Sequence, residues 1–228
     1  MFVRITTDCK NRNTTLDDFG MTSGSDAIIS LNEIFYKKGI EIYGEKEPSE
    51  YVYQVKIGAV RSYKLLSDGR RQIGAFHLAG DIFGLANGSA HRFTAEAIVD
   101  TTLRLIKREA LDRVAETDPV VTRTLLGMTT LNLKHAEDHM LLLGRKDSVE
   151  RVATFLVEMD ERIRTSQVMA LPMTRRDIAD YLGLTLETVS RALSRLRRGG
   201  LLDFVGNTQR QITILDRKRL REVDCQRH

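Results

Sequence analysis

Residues 174–198 read TRRDIADYLGLTLETVSRALSRLRR, and their pattern is the strongest indication of how the C-terminal part of the chain folds. Thr174 and Thr185 stand where two short helices would begin, because a threonine oxygen can accept from the free backbone N–H groups of a first turn. Asp177 follows Thr174 by three residues, as in a capping box. Gly183 lies between the two helical patterns and predicts a tight turn. The stretch therefore predicts two helices joined by a short turn.

The second predicted helix has two different faces. Apolar residues at intervals of three and four predict a buried stripe of Val189, Ala192, Leu193 and Leu196. Glu187, Ser190 and Arg191 share the opposite face in the first two turns. That end of a recognition helix enters the major groove of DNA in helix-turn-helix proteins. Two short strands predicted around Gly206-Asn207 would add a wing, so that residues 145–216 form a winged helix-turn-helix domain.

The charge of the chain is distributed unevenly. The formal net charge is +4, and from Arg145 onward 17 Lys and Arg face 12 Asp and Glu, against 18 and 19 before it. A basic C-terminal part favours a polyanionic partner, although extra arginines that only aid solubility would give the same excess. The chain has no apolar run of 18 residues and no signal peptide, so we expect no membrane span and a cytoplasmic protein. Cys9 and Cys225 lie in opposite terminal segments, which argues against a structural disulfide.

The N-terminal part reads as short strands. Residues 1–25 are predicted as a flexible arm and residues 26–117 as a small antiparallel β-roll. Asp68-Gly69 predicts a hairpin turn. Side chains that alternate along one predicted strand are expected on a single face of the sheet: Tyr51, Tyr53, Val55 and Ile57.

Residues 118–144 predict a long helix that begins at Asp118-Pro119. Its apolar stripe must pack against something, and a second copy of the chain is the partner that we favour, which predicts a homodimer. The alternative is that the stripe covers the roll of its own chain. The predicted dimer-interface residues are Val121, Leu125, Met128, Leu131, His135 and Leu142. Residues 217–228 are predicted as a polar C-terminal tail or helix.

Three segments resemble the Crp/Fnr family of bacterial transcription regulators. TRRDIADYLGLTLETVSRALSRL, residues 174–196, is similar to the family's DNA-binding motif, and its Glu-x-x-Ser-Arg pattern resembles the Fnr and FixK branches. LLLGRKDSVERVATFL and GRRQIGAFHLAGDIFG are also similar to the Fnr side. The resemblance implies an α+β fold in which a roll resembling a cyclic-nucleotide-binding domain is followed by a dimerisation helix and a winged helix-turn-helix.

The resemblance also implies a function. A homodimer of this family binds double-stranded DNA at an inverted repeat, here of TTGA-type half-sites, and recruits RNA polymerase. FixK relatives activate genes of microaerobic respiration and nitrogen fixation. The resemblance assigns Thr174, Arg175 and Thr185 to the DNA backbone, and Arg195 and Arg198 lie further along the second helix, where phosphates would be. The base-reading residues that we predict are Glu187, Ser190 and Arg191.

The roll departs from the family members that bind cyclic AMP. Leu85 stands where those members have a ribose-binding Glu, and Arg92 is followed by Phe93 instead of Ser. Cys9 has no partner cysteines near it for an oxygen-sensing cluster. We therefore expect no cofactor and no required cyclic nucleotide, with a ligand-gated or haem-gated regulator as the alternative.

Two histidine features could supply ligands. A haem ligand at His77 is less favoured than a histidine satisfied within the roll. For the HAEDH segment, His135 and His139 on a solvated helix face are favoured over a zinc site, because Ala136 replaces the Glu of the metalloprotease pattern. No nucleophile elbow, Walker A loop or Rossmann fingerprint occurs, so we expect no enzymatic activity and no catalytic or metal site.

Overall fold

The computed structural model describes residues 32–85, 88–163, 168–206 and 210–225. The predicted arm of residues 1–25, with Cys9, lies outside the described residues. The chain divides into two units. The first consists of the chain up to Lys64 and Gly74–Glu137, and the second consists of Leu65–Ile73 and the chain from Asp138 onward.

The first unit contains the expected roll, except for Leu65–Ile73 at the β4–β5 turn, which belong to the second unit. Its strands form two four-stranded antiparallel sheets in the orders β1-β8-β3-β6 and β2-β7-β4-β5. In chain order the strands are β1 (Asn32–Tyr36), β2 (Glu41–Tyr43), β3 (Tyr51–Ile57), β4 (Ala59–Leu65), β5 (Arg71–Leu78), β6 (Ile82–Phe83), β7 (Thr94–Ala97) and β8 (Thr101–Lys107). The predicted turn connects β4 to β5, with Gly69 at a φ of 80° that glycine adopts without strain.

Strand β3 corrects one prediction. Tyr53 and Val55 lie in one buried cluster as expected, but Val52 is also buried, in the cluster on the opposite face. Ile57 is exposed, because the register between β3 and β8 shifts between Val55 and Ile57. Such an irregularity turns the residue that follows it toward the other face of the sheet.

Two helices follow the roll. The first, α1 (Arg108–Thr117), was not predicted, since these residues were assigned to the roll. The long helix α2 (Pro119–Arg145) begins as predicted. Its first turn is capped by Asp118, whose Oδ1 accepts from the backbone N–H of Val120 at 2.9 Å. The first unit contains α2 up to Glu137, and the rest of the helix belongs to the second unit.

The apolar stripe of α2 that we predicted as a dimer interface packs within its own chain. Val121 and Met128 are buried beside Val52, Ile82 and Leu111. Leu125 packs on the same cluster, Leu142 is buried, and Leu131 and His135 are half-buried. The prediction is therefore wrong for Val121 and Met128, and the alternative of a stripe that covers its own roll holds at this end of the helix.

The second unit is built from helices and one small sheet. Its helices besides the end of α2 are α3 (Ser148–Ile163), α4 (Arg175–Leu182), α5 (Leu186–Arg198) and α6 (Arg217–Cys225). Strands β9 (Met169–Ala170), β10 (Leu202–Val205) and β11 (Gln211–Ile214) pair in the order β10-β11-β9. Helix α6 lies in the predicted tail, but it packs on α3, with Leu220 fully buried and Arg217 paired to Asp160 at 2.8 Å.

Candidate DNA-binding surface

The first helix of the pair starts at a complete capping box. The Thr174 hydroxyl oxygen accepts from the backbone N–H of Asp177 at 3.2 Å, and the Asp177 carboxylate accepts from the backbone N–H of Thr174 at 2.8 Å. This confirms the capping pattern, and it fixes where α4 begins. The Thr174 hydroxyl also donates to the Asp177 carboxylate at 2.7 Å. Its proton therefore has an acceptor inside the protein.

An arginine distant in sequence reinforces this start. Arg71, in the same unit, donates to Asp177 at 2.8 Å and to Asp180 at 2.7 Å. The Asp177 side chain is only 3% exposed and that of Arg71 20% exposed. A carboxylate this buried requires a counter-charge. Sequence reasoning missed Arg71, because nothing near it in the sequence signals a partner 106 residues away.

The turn between α4 and α5 is held by a glycine and an arginine. Gly183 adopts a left-handed φ of 62°, and its N–H bonds to the carbonyl of Ala179. The Arg151 guanidinium donates to the carbonyls of Leu182, Leu143 and Lys146 at 3.0, 2.7 and 2.9 Å. It thus satisfies carbonyl groups that helices leave unpaired at their C-terminal ends. The sequence did not indicate this role for Arg151.

Thr185 caps helix α5, and its hydroxyl accepts from the backbone N–H of Thr188 at 3.2 Å. The predicted inner stripe is confirmed, since all four of its residues are at most 2% exposed: Val189, Ala192, Leu193 and Leu196. Glu187 and Arg191 are exposed and Ser190 is half-buried on the other face. The three predicted base-reading side chains therefore stand together away from the core.

Glu187 keeps its negative charge at this position. The pKa of its carboxyl is lowered, first by a bond from its own backbone N–H and then by one from the Thr185 hydroxyl. The nearby charges of Arg176 and Arg191 lower the pKa of Glu187 further. The side chain is therefore an ionised hydrogen-bond acceptor at the N-terminal end of α5, where the helix dipole also favours an anion.

Arg175 has partners inside the protein. Its Nη1 donates to the Ser190 hydroxyl at 3.2 Å, and its guanidinium carbon lies 5.4 Å from the centre of the Phe204 ring on the wing. Arg197 approaches the same ring at 5.7 Å and pairs with Asp203 at 2.7 Å. Burial lowers the pKa of Arg175. Its side chain thus lies between the recognition helix and the wing, whereas Arg195 and Arg198 are exposed near the end of α5.

The positions where cyclic-AMP-binding members hold their ligand have other contacts here. Leu85 packs against the buried cluster of Val52 and Ile82, and Arg92 is exposed. Phe93 is half-buried beside Lys64, whose Nζ lies 5.6 Å from the ring centre. Neither Leu85 nor Phe93 offers a polar side chain to a sugar or a phosphate.

Aromatic rings pack against one another inside the roll. Tyr43 stacks on His91 with ring centres 3.5 Å apart, and Tyr53 stacks on Phe83 at 5.2 Å. Burial raises the pKa of both tyrosines. His77 stacks on Phe83 at 4.5 Å, and its Nε2 shares a hydrogen bond of 2.7 Å with the Ser62 hydroxyl. These two contacts place His77 inside the roll, and the preference for a core histidine over a haem ligand stays a prediction.

The HAEDH segment differs from its prediction in part. The ring of His139 packs on Tyr181 at 4.3 Å, so a solvated helix face is the wrong description for this residue. Burial is the main cause that lowers the pKa of His139. Within the described ranges, no three or more His, Cys, Asp or Glu side chains come together as a possible metal site. None of the helices described is long and apolar enough to cross a bilayer.

Comparison with known proteins identifies the family. A cyclic nucleotide-binding domain matches residues 33–118, and a Crp-like helix-turn-helix domain matches residues 150–223. The nitrogen fixation regulation protein FixK of Rhizobium meliloti is 44% identical over 82% of this chain and 85% of its own length. The chain belongs to the Crp/Fnr family.

Within the Crp/Fnr family the similarity is to the FixK type. The structure of FixK2 from Bradyrhizobium japonicum matches with a TM-score of 0.83 and 63% identity, covering 86% of this chain and 98% of that one. The transcriptional activatory protein AadR of Rhodopseudomonas palustris is 41% identical over 78% of this chain and 75% of its own length. This Crp/Fnr protein is thus a transcription regulator with a DNA-binding helix-turn-helix, as the resemblance in its sequence indicated.

Proposed function

We propose that this regulator binds as a homodimer to an inverted repeat of TTGA-type half-sites and activates transcription without a required small-molecule effector. The observation that carries the proposal is the outer face of α5. Glu187, Ser190 and Arg191 stand together on its first two turns, while the opposite stripe is buried. The N-terminal residues of a recognition helix are those that reach base edges in the major groove.

Each of the three side chains has a base edge that it can read. Arg191 can donate two bonds to O6 and N7 of guanine, and the Glu187 carboxylate can accept from the amino group of cytosine. Because its pKa is lowered, Glu187 stays charged, and over a base without a donor it would be unpaired and repelled by phosphates. Glu187 therefore rejects wrong sites as well as accepting the right one. Ser190 contributes a hydroxyl between them.

Side chains around this face are suited to the phosphates. Arg195 and Arg198 are exposed further along α5. Thr174 and Thr185 stand at the N-termini of α4 and α5, where the helix dipole and the backbone N–H groups, and not the Thr174 hydroxyl, would meet an anion. We propose that these four residues hold the DNA backbone and carry no sequence information.

A second apolar stripe on α2 supports the homodimer. Leu126, Leu133 and Met140 recur every seven residues and are between 59% and 66% exposed. Apolar residues at this period form the seam between two helices that coil around each other. Its residues lie two positions before Met128, His135 and Leu142 of the first stripe, and therefore on a different face of the helix. A second copy of the same helix has the matching period, so we propose it as the partner.

The interior of the roll supports the absence of a required effector. Its stacked rings have one another as partners, and Leu85 and Phe93 are apolar at the two positions that hold a cyclic nucleotide in other members. The name of AadR, a transcriptional activatory protein, supports activation. Recruitment of RNA polymerase is the route that the family resemblance implies. The name of FixK, a nitrogen fixation regulation protein, supports target genes of nitrogen fixation. The family resemblance alone adds genes of microaerobic respiration to this proposal.

Titration of the purified chain onto DNA tests this function. The duplexes are a TTGA-type inverted repeat and the same duplex with the G·C pair of each half-site exchanged. We expect binding without any additive, from protein whose absorbance spectrum shows no chromophore, and at least about tenfold weaker binding to the altered duplex. Equal affinity for both duplexes would contradict base reading. Binding that appears only with an added ligand or haem would contradict the effector-free state.

Sedimentation equilibrium tests the homodimer. Leu133→Asp places a charge in the centre of the exposed stripe and is expected to give monomers, whereas the wild type sediments as a dimer. Lys134→Asp is the matched control, because Lys134 is an exposed neighbour outside the stripe. If the Leu133→Asp protein remained dimeric, the stripe of Leu126, Leu133 and Met140 would not be the dimer interface.

A further inference from the structure

Arg175 connects three elements of the second unit. It is the first residue of α4, it donates to Ser190 on α5, and its guanidinium lies over Phe204 on β10. It is half-buried, while its neighbour Arg176 is exposed. A guanidinium with a hydroxyl on its edge and a ring on its face has a fixed orientation, because its five donors lie in one plane.

The Phe204 side of this arrangement is also fixed. A second guanidinium, of Arg197, lies 5.7 Å from the same ring, and Arg197 is paired with Asp203 on the same strand. Cations near the face of an aromatic ring are attracted by its quadrupole. The wing strand and the recognition helix are therefore connected through Phe204, and Arg175 extends this connection to Ser190.

The bond to Ser190 has a consequence for hydrogen bonding. A serine hydroxyl has one proton to donate and two lone pairs, whereas an arginine has donors only. The bond from Arg175 must therefore use a lone pair of Ser190, and it leaves the hydroxyl proton for another partner. On the exposed face of α5, a base edge with an acceptor would be that partner.

We infer that Arg175 is a positioning residue that makes Ser190 read its base as a hydrogen-bond donor, and not primarily a contact to phosphate. Ser190 then prefers the acceptors of the major groove, which are O6 and N7 of guanine, N7 of adenine and O4 of thymine, and it disfavours the amino group of cytosine. The inference rests on the proposed function, since it presupposes that α5 reads DNA. It revises the role that family resemblance assigned to Arg175.

The test uses the full chain and a set of operator duplexes, each substituted symmetrically at one half-site position. Ser190→Ala identifies the base pair that Ser190 reads, as the position where discrimination falls. We expect Arg175→Ala to lose discrimination at that same base pair, by about fivefold, and to leave the other positions unchanged. The double variant Arg175→Ala/Ser190→Ala should discriminate there no less than Ser190→Ala alone, because one residue acts through the other.

Two further variants separate positioning from charge. Arg175→Lys keeps the charge but lacks the planar fork, so it should not restore discrimination. Arg176→Ala removes the same charge from the exposed neighbour and should leave discrimination unchanged. The dependence of affinity on salt should keep its wild-type slope in Arg175→Ala, whereas loss of a phosphate contact reduces that slope by about one.

Opposite results overturn the inference. A phosphate contact would be shown if Arg175→Ala bound every duplex equally more weakly and its affinity depended less on salt. Wild-type affinity and discrimination in Arg175→Lys would agree with that role. If Arg175→Ala does not fold, as judged by circular dichroism, Arg175→Lys decides, since wild-type discrimination in that variant excludes the geometric role. If the wild type itself shows no base preference, the proposed function has failed, and this result is distinct from either outcome for Arg175.

Discussion

The interior of the roll and the outer face of α5 use their polar and aromatic side chains in opposite ways. In the roll, Tyr43, Tyr53, Phe83 and His91 are buried and stack on one another. On α5, Glu187 and Arg191 are exposed, and the contacts around them fix the helix that carries them. The roll thus resembles a ligand-binding domain whose interior contributes stability, whereas the helix-turn-helix keeps its side chains available for another molecule. Mutations in the two regions should therefore affect different properties.

The largest expected effect is on the stability of the roll. Phe83→Ala removes a ring that is 3% exposed and packs between Tyr53 and His77, so it should lower the free energy of unfolding by about 3–5 kcal/mol. Tyrosine fluorescence in urea measures this, because five of the six tyrosines lie in the first unit and the chain has no tryptophan. Phe35→Ala, at an exposed ring, should change stability by less than about 0.5 kcal/mol. Equal losses of unfolding free energy in Phe83→Ala and Phe35→Ala would contradict the view that the stacked rings inside the roll contribute its stability.

The next effect concerns how firmly the helix-turn-helix is built. Arg71→Ala leaves the nearly buried Asp177 without this counter-charge. Removing one partner of a fully buried pair costs about 3–5 kcal/mol. We expect about 2–3 kcal/mol here, because Arg71 is one-fifth exposed. Hydrogen exchange of α4 amides should accelerate in Arg71→Ala and not in Arg70→Ala, whose exposed guanidinium pairs with Asp68. Unchanged exchange would mean that the capping box holds without Arg71.

A change on the outer face should alter recognition and not stability. Arg191→Ala should cost about 1–3 kcal/mol of binding free energy at one base pair of each half-site and leave the urea transition unchanged. Competition among singly substituted duplexes measures the pattern. Arg195→Ala is the control, expected to weaken every duplex alike. The same uniform loss in Arg191→Ala would contradict its reading role.

The smallest expected effect is a dependence of stability on pH. Burial lowers the pKa of His139 in the folded chain, so the unfolded chain takes up this proton first as the pH falls. Stability should therefore decrease below about pH 6.5, the ordinary histidine value. His139→Phe keeps a ring beside Tyr181 and removes the titration. Urea unfolding at pH 7.5 and 5.5 should show a smaller loss of unfolding free energy for His139→Phe than for wild type. Because His91 is present in both proteins, its contribution cancels when the two losses are subtracted. Equal losses of unfolding free energy in the two proteins would show that folding does not lower the pKa of His139.

Features that depend on neighbours in sequence were predictable. The capping box at Thr174, the turn at Gly183 and the buried stripe of α5 all follow from residues within a few positions of one another. The contacts of Arg71 and Arg151 were not predictable, because nothing local marks an arginine as the partner of distant groups. The face of α2 was misassigned for a related reason. Periodicity identifies an apolar stripe, but only the tertiary fold determines what covers it.

The two stripes of α2 lie on different faces of one helix, and this makes the helix sensitive to changes in length. Each residue of an α-helix advances the side-chain direction by about 100°. One residue inserted near Gly127 would leave Val121 packed on the roll and rotate Leu133 and Met140 by that angle about the helix axis. Point substitutions change one contact at a time, whereas such an insertion misaligns every later contact at once. We expect evolution of this helix to proceed by replacement at constant length.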